Sequence, residues 1–220
     1  MTSVSVVIPA LNEAANIAAT LQALPTVLET IVVDGGSTDG TAEAASAAGA
    51  RVVRSGRGRA RQMNAGAAVA QGDIILFLHA DTRLPEYGIA CVAALPDSEL
   101  EWGRFDVTLD GGHFLFRVIE TFMNARSRLT SIATGDQGIF VNRQTFESIG
   151  GFSDIPLMED IDLSKRLRSV SRPLNVSCRV VTSARRWRDH GILRTILLMW
   201  RLRLLYFLGV SPNRLAEAYR

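Results

Sequence analysis

Carboxylates recur in this sequence where apolar runs stop. Residues 30–33 (TIVV) lead into Asp34-Gly35-Gly36-Ser37-Thr38-Asp39-Gly40, and residues 73–78 (DIILFL) lead into His79-Ala80-Asp81. A carboxylate at the end of a strand can accept hydrogen bonds from a base N–H or a ribose hydroxyl. Glycines beside it, Gly36 among them, let the backbone approach the ligand. The plainer reading is a turn in which Ser37 or Asp39 caps the next helix. That accounts for one of the two aspartates but not for Asp34 at the strand end itself. Asp81 can hold a hard divalent cation whose other ligands are phosphate oxygens. Such a cation offsets charge building on a leaving diphosphate. Its plainer reading is a satisfied turn aspartate.

Three further groups carry possible chemistry. Arg57-Gly58-Arg59-Ala60-Arg61 precedes a helical pattern, so Arg59 and the helix N-terminus suit a diphosphate. It is an incomplete dinucleotide fingerprint, since the third glycine is missing, and its plainer reading is a solvated basic loop. Asn64, one turn on, would face the same ligand. Glu159 and Asp160 open another helix, where the dipole favours carboxylates in any case. The functional reading has one of them take a proton from an attacking acceptor. Gly135-Asp136-Gln137-Gly138 is the remaining turn of this kind.

The surrounding pattern says how these residues would be positioned. Residues 4–9 (VSVVIP), 30–33, 51–54 and 73–78 read as buried strands, with helices near 13–24, 41–48 and 59–71 between them. In the first helix Ile17, Leu21 and Leu24 share a face behind a cap at Asn12. Alternation of this kind makes a parallel sheet covered on both faces, whose ligands collect beyond the carboxyl ends of the strands. Residues 9–13, 34–39 and 79–81 then lie on one rim. Further on, residues 102–109 alternate like an edge strand. Residues 113–128 look helical, with Leu115, Ile119 and Phe122 in register. A short strand at 137–141, a helix from Asn142 to 150, a helix at 159–168, a strand at 174–181 and a long amphipathic helix at 186–209 complete the pattern.

Composition sets the limits. The chain has 220 residues, 47% of them hydrophobic, which suffices for one substantial core. A net charge of +2 leaves no global polycation to bind nucleic acid or an acidic membrane, while arginines clustered at 54–61 and 185–203 leave local anion binding open. Cys91 and Cys178 show no disulfide or metal spacing, so a reducing, cytoplasmic setting is expected. No signal peptide is expected, because the N-terminus enters a strand pattern at once. The greasy segment 192–210 carries Arg194, Arg201 and Arg203, so it is not read as a spanning helix. It would be a core-packing helix, a contact with a second copy, or a helix lying on a membrane surface.

SVVIPALNE, VVDGGSTDGT, GRGRARQMNAGA and ILFLHADT, followed by TGDQGIFV, GGF and MEDIDLSKRLR, resemble glycosyltransferase family 2 in order and spacing along essentially the whole chain. The look is closest to a small bacterial branch associated with radical-SAM or selenium-related domains. The resemblance implies a GT-A fold: a mostly parallel sheet flanked by helices, here with a C-terminal amphipathic extension. It implies one domain, with a nucleotide-sugar half to about residue 100, an acceptor half at 101–182 and a helical tail at 183–220. It implies an inverting, metal-dependent transfer from a nucleotide-diphosphate sugar, first of all a UDP-sugar, to an unidentified acceptor. Pro9, Ala10, Asn12, Glu13, Asp34, Gly36, Asp39, Arg59 and Asn64 would serve the nucleotide. Asp81 matches the last aspartate of the family's metal motif, whose first acidic position is His79 here. Mn²⁺ or Mg²⁺ is the expected cofactor. Asp160, paired with Glu159, would be the catalytic base, and Gly135, Asp136 and Gln137 would sit on the acceptor side. Ser183-Ala184-Arg185-Arg186-Trp187 faintly resembles a motif of processive members, which leaves Arg186 as a weak phosphate contact.

Two alternatives stand beside the transferase. A nucleotidyltransferase would carry a Gly-rich basic loop where residues 9–13 stand. A non-catalytic nucleotide-sugar-binding protein would tolerate loss of Asp81 and Asp160.

Overall fold

The structure is a computed structural model that describes residues 2–95 and 100–219. β1 (Val4–Ala10) is buried along its whole length, as its unbroken apolar run requires for a strand covered on both faces. It pairs in parallel with β2 (Glu29–Asp34) and β4 (Ile74–Phe77), and β2 pairs in parallel with β3 (Arg51–Arg54). The remaining strands are β5 (Thr82–Arg83), β6 (Trp102–Leu109), β7 (Ile139–Asn142) and β8 (Leu174–Thr182). They complete one sheet in the order β3-β2-β1-β4-β7-β6-β8-β5. β7 runs antiparallel to β4 and β6, and β5 antiparallel to β8, so the second half is mixed where the first is parallel.

Period-two alternation divides β1 between two cores. Val4, Val6 and Ile8 face α1 (Ala14–Gln22), α2 (Thr41–Ala47) and α4 (Gly88–Ala93) through Ile17, Ala45 and Val92. Val7, with Val33 and Ile75, faces α3 (Arg59–Ala67), α6 (Arg143–Ser148) and α7 (Glu159–Val170) through Met63, Phe146 and Leu163. Gly66 lets α3 sit close, since a Cβ there would lie 2.4 Å from Val7 Cγ1 and 2.9 Å from Val33 Cγ2. α5 (Phe114–Thr130) covers the end of β6. α8 (Arg185–His190), α9 (Ile192–Phe207) and α10 (Pro212–Tyr219) form the tail, where Leu202 and Leu215 pack on Leu157, Met158 and Ile161.

Several expectations need correction. β6 is an interior strand, not an edge, flanked by β7 and β8. Its polar alternation is buried: the Arg104 guanidinium meets Asp106 at 2.5 Å, and Arg128 meets the other carboxylate oxygen at 2.6 Å. α5 turns Phe116 and Ile119 inward, not the Leu115–Phe122 register, and Phe122 is exposed. The buried face of α5 is partly polar because β6 has backbone groups to satisfy. Glu120 accepts the Leu109 amide at 2.7 Å, and Asn124 pairs with both Val107 backbone groups. The strand expected from residue 137 starts at Ile139, after a 3₁₀ turn at Gly135–Gln137. The helix expected at 186–209 breaks at Gly191, whose φ is +81°, and α10 follows it. Cys91 and Cys178 form a disulfide across 87 residues of sequence, because α4 packs beside β8. That bond removes the cysteine argument for a reducing compartment. Among the described residues, no helix is long and apolar enough to cross a membrane.

Candidate functional site

The parallel strands β2, β1 and β4 end side by side, so the turns that follow them share one rim. The first two turns are bonded to each other. Asn12, with φ of +55°, donates its backbone N–H to Ser37 Oγ at 2.9 Å and accepts from the Thr38 amide at 3.0 Å. The Glu13 amide donates to Thr41 Oγ1 at 2.9 Å, and the Ala14 amide to Asp39 Oδ2 at 3.0 Å. Asn12 thus joins two turns instead of capping α1 by its side chain. Asp39 also accepts from the Thr41 hydroxyl and amide. The hydroxyl foremost, then the Ala14 amide, holds its carboxyl below the ordinary range. Asp34 is buried and folds back onto the amides of Gly36 and Ser37 at 3.1–3.2 Å. From α3, Gln62 Nε2 donates to Ala10 O and Val33 O, both at 2.8 Å, tying the ends of β1 and β2 to the helix. Asn64 is committed to Phe152, donating to its carbonyl and accepting from its amide.

A cavity of about 510 Å³ opens beyond this rim. Pro9, Ala10 and Glu13 form one side, Arg59 enters from the N-terminus of α3, His79 and Asp81 follow β4, and Asp136 comes from the 3₁₀ turn. The far wall comes from the tail: Arg185, Arg186, Trp187, Thr195, Met199 and Tyr219. Arg185 reaches across to Glu13 at 3.0 Å. Arg186 lies 3.8 Å over the Tyr219 ring and donates to the Tyr219 carbonyl at 3.1 Å. Arg59 Nε bonds Glu159 Oε1 at 3.0 Å beneath the floor. Burial opposes the Arg59 charge, but Glu159 and then Asp160 outweigh it and hold the guanidinium firmly protonated.

His79 Nδ1 lies 3.3 Å from Asp136 Oδ1. Burial pushes the imidazole down, but the hydrogen bond and charge of Asp136 push it up further, so its net shift is upward. The same pair lowers Asp136 against its own burial penalty. Asp81 is raised, by burial first and then by the negative neighbours Asp136 and Glu13, against the pull of His79. Burial also raises Glu159, against Arg59 and with Asp160. Asp160 accepts the Gly135 amide at 2.9 Å and the Ile161 amide at 2.7 Å. It lies with Glu159 beside a small void behind His79 and does not line the main cavity.

Among the described residues no three His, Cys, Asp or Glu side chains group as a metal site. Asp81 nonetheless suits a cation whose remaining ligands come from a diphosphate. It lines the cavity, accepts no hydrogen bond among the described residues, and has the carboxylates Asp136 and Glu13 as neighbours. His79 suits that role less well. Its Nδ1 is engaged by Asp136, and its Nε2 edge lies against Gly135, where a Cβ would stand 2.3 Å away.

The cavity therefore gathers Pro9, Ala10, Glu13, Arg59, His79, Asp81, Asp136 and Arg186 from the sequence reading. Asn12, Asp34, Gly36, Asp39 and Asn64 shape or brace the rim. Gln137 is buried, closing a capping box with Thr134. Sequence reasoning missed Gln62, which sits inside the resembling GRGRARQMNAGA segment but looks like an ordinary helix surface residue. It also missed Tyr219, for which the sequence carries no signal, and Arg185 as the partner of Glu13.

A family model described as Glycosyl transferase family 2 matches residues 5–146. Glucosyl-3-phosphoglycerate synthase from Mycobacterium tuberculosis, in complex with Mn²⁺, UDP and phosphoglyceric acid, superposes with a TM-score of 0.62 at 23% identity, over 96% of this chain and 80% of that one. TarS residues 1–349 from S. aureus, in complex with UDP-GlcNAc, gives 0.69 at 17% identity, over 82% and 58%. A mycobacterial protein gives 0.55 at 23% identity, over 83% of this chain, which spans 65% of that structure's length. A comparison with curated proteins returned no match. The structural likenesses establish a shared fold of a mixed sheet flanked by helices.

Proposed function

The chain belongs to glycosyl transferase family 2, and from that membership we propose that it moves a sugar from a UDP-sugar onto an acceptor with inversion at the anomeric carbon. The observation that carries the reading is the cavity, where an unbonded carboxylate, Asp81, faces a set of arginines from α3 and the tail. Its volume of about 510 Å³ lies in the range of small-molecule sites. Pro9, Ala10 and Glu13 receive the nucleotide on the rim that Asn12, Asp34, Gly36 and Asp39 brace. Arg59 and the N-terminus of α3 meet the diphosphate.

The acceptor oxygen attacks the anomeric carbon while the bond from that carbon to the diphosphate oxygen breaks, and the diphosphate leaves with the electron pair. The acceptor proton passes to a carboxylate on the face opposite the leaving group. Asp160 is the assigned base, held by the Gly135 and Ile161 amides. Asp136 is a second reading, favoured by its place in the cavity wall and its bond to His79. A divalent cation, Mn²⁺ as in the M. tuberculosis complex or Mg²⁺, would be held through Asp81 and supply charge neutralisation of the departing diphosphate. The resemblance to the radical-SAM or selenium-related branch belongs to this reading.

The test is release of nucleotide diphosphate from a panel of UDP-, GDP- and dTDP-sugars with Mn²⁺ or Mg²⁺. Losing the base should lower turnover by about 100-fold or more while nucleotide binding persists. If Asp160→Asn keeps parental turnover and Asp136→Asn does not, the base is Asp136. If neither variant loses turnover, or Asp81→Ala binds UDP and Mn²⁺ as the parent does, the reading fails.

A further inference from the structure

Two neighbouring helices turn large apolar side chains to the outside. On α5 these are Phe114, Val118, Phe122 and Leu129, which fall on one face at 3.6 residues per turn. On α9 they are Leu193, Leu197, Trp200, Leu204 and Phe207, again one face. All are exposed, Leu129 to 86%, Phe207 to 80% and Trp200 to 69%. A core helix hides such a stripe, and these two hide other faces. Phe116, Ile119 and Met123 of α5 share one apolar cluster with Ile192 and Ile196 of α9, so the inner faces of both helices meet in a common core.

The unpaired charges on these two helices have one sign. Arg117 and Arg128 of α5 are exposed but paired, with Glu120 at 2.9 Å and Asp106 at 2.6 Å, while Arg194 and Arg201 stand exposed beside the α9 stripe. Arg194 and Arg201 have no ion-pair partner among the described residues. α9 contains no acidic residue, and the one carboxylate on α5, Glu120, is buried. An apolar band rimmed by arginines matches the boundary between acyl chains and anionic headgroups. A second copy is a poorer match, because a two-fold pairing of this face would set its arginine rims against each other.

We infer that the α5–α9 face docks on an anionic lipid surface, with Trp200 and its neighbours in the headgroup layer and Arg194 and Arg201 on the lipid phosphates. No helix among the described residues can span, so the chain lies on the surface. Thr195 and Met199 of α9 line the cavity, which then stands within about one helix diameter, roughly 10 Å, of the headgroups. This inference is independent of the sugar-transfer reading, because its readout is binding.

The test is co-sedimentation of the whole chain with phosphatidylcholine vesicles, with and without phosphatidylglycerol, alongside light scattering in solution. Binding is expected to the anionic vesicles and to weaken in high salt. Arg194→Gln with Arg201→Gln should weaken it about 30-fold, from about fivefold per arginine near an anionic surface. Trp200→Ser with Leu204→Ser should abolish it while leaving the melting temperature within a few degrees, since both side chains are exposed. Failure of the parent to pellet with anionic vesicles overturns the inference. So does parental binding by Trp200→Ser/Leu204→Ser. A dimer that this double variant disperses, without vesicle binding by the parent, assigns the face to a second copy instead.

Discussion

Gly135→Ala is the smallest change that should break the candidate site. A methyl group there would lie 2.3 Å from His79 Nε2 and 2.6 Å from Cε1. The backbone of Gly135 is fixed by the Asp160 carboxylate on its amide, so the imidazole has to move. Moving it breaks the 3.3 Å contact between His79 and Asp136. Overpacking of this kind costs about 1–3 kcal/mol. Asp136 is about half exposed, so loss of its charge-assisted bond adds only about 1 kcal/mol after solvent screening. A total near 3 kcal/mol lowers the melting temperature of a chain this size by roughly 9 °C. The pH dependence has a definite sign. His79 titrates higher in the folded state, so its contribution is complete below its unfolded value and is lost as pH rises through the folded one. The gap between parent and Gly135→Ala should therefore narrow from pH 6 to pH 9, leaving mostly the packing term. Scanning calorimetry at both pH values and an NMR titration of the three histidines measure this. A variant that melts within 2 °C of the parent at pH 6, with His79 titrating unchanged, would refute the reasoning.

Asp106→Asn should destabilise the fold by about 3–5 kcal/mol in denaturant unfolding, because it leaves the fully buried Arg104 without its counter-charge. Gln62→Ala strips a donor from the Ala10 and Val33 carbonyls. It should cost about 1–3 kcal/mol and weaken nucleotide binding, since the ends of β1 and β2 lose their tie to α3. Arg126 has two buried nitrogens without partners, and burial, then the charge of Arg203, pushes its guanidinium down to about 10. It is still a cation at neutral pH and a net cost there, so Arg126→Met should raise the melting temperature by a few degrees, equally at pH 6 and pH 8.

How much of this was visible in the sequence depended on where polar groups are satisfied. β1, β2 and β4 were legible because strands buried on both faces must be apolar throughout, and their ends named the rim. β6 was not, since Arg104 and Asp106 imitate an outward face while neutralising each other inside. The stripes of α5 and α9 had a readable period. Which side of the helix faces the core is decided by neighbours, and there Glu120 and Asn124 were needed by β6 more than Phe122 was by the core. Asp136 could be suspected from its turn, but its partner His79 lies 57 residues earlier by their numbering, and no local rule joins them. The far wall was least legible, because the Arg186–Tyr219 stack depends on how α10 folds back over the tail.

The bonds between the turns after β1 and β2 have a consequence for how a ligand is met. Four backbone amides spread over those two loops are pinned to side chains of the opposite loop or of α2's first residue, so this shoulder cannot yield in pieces. The opposite shoulder is fastened differently, by a stacked arginine and a satellite apolar cluster under α9 and α10. Adaptation to cargo of different size would then come almost wholly from the tail. Amide exchange should register it as slow hydrogens at Asn12, Glu13, Ala14 and Thr38 facing fast ones along α10.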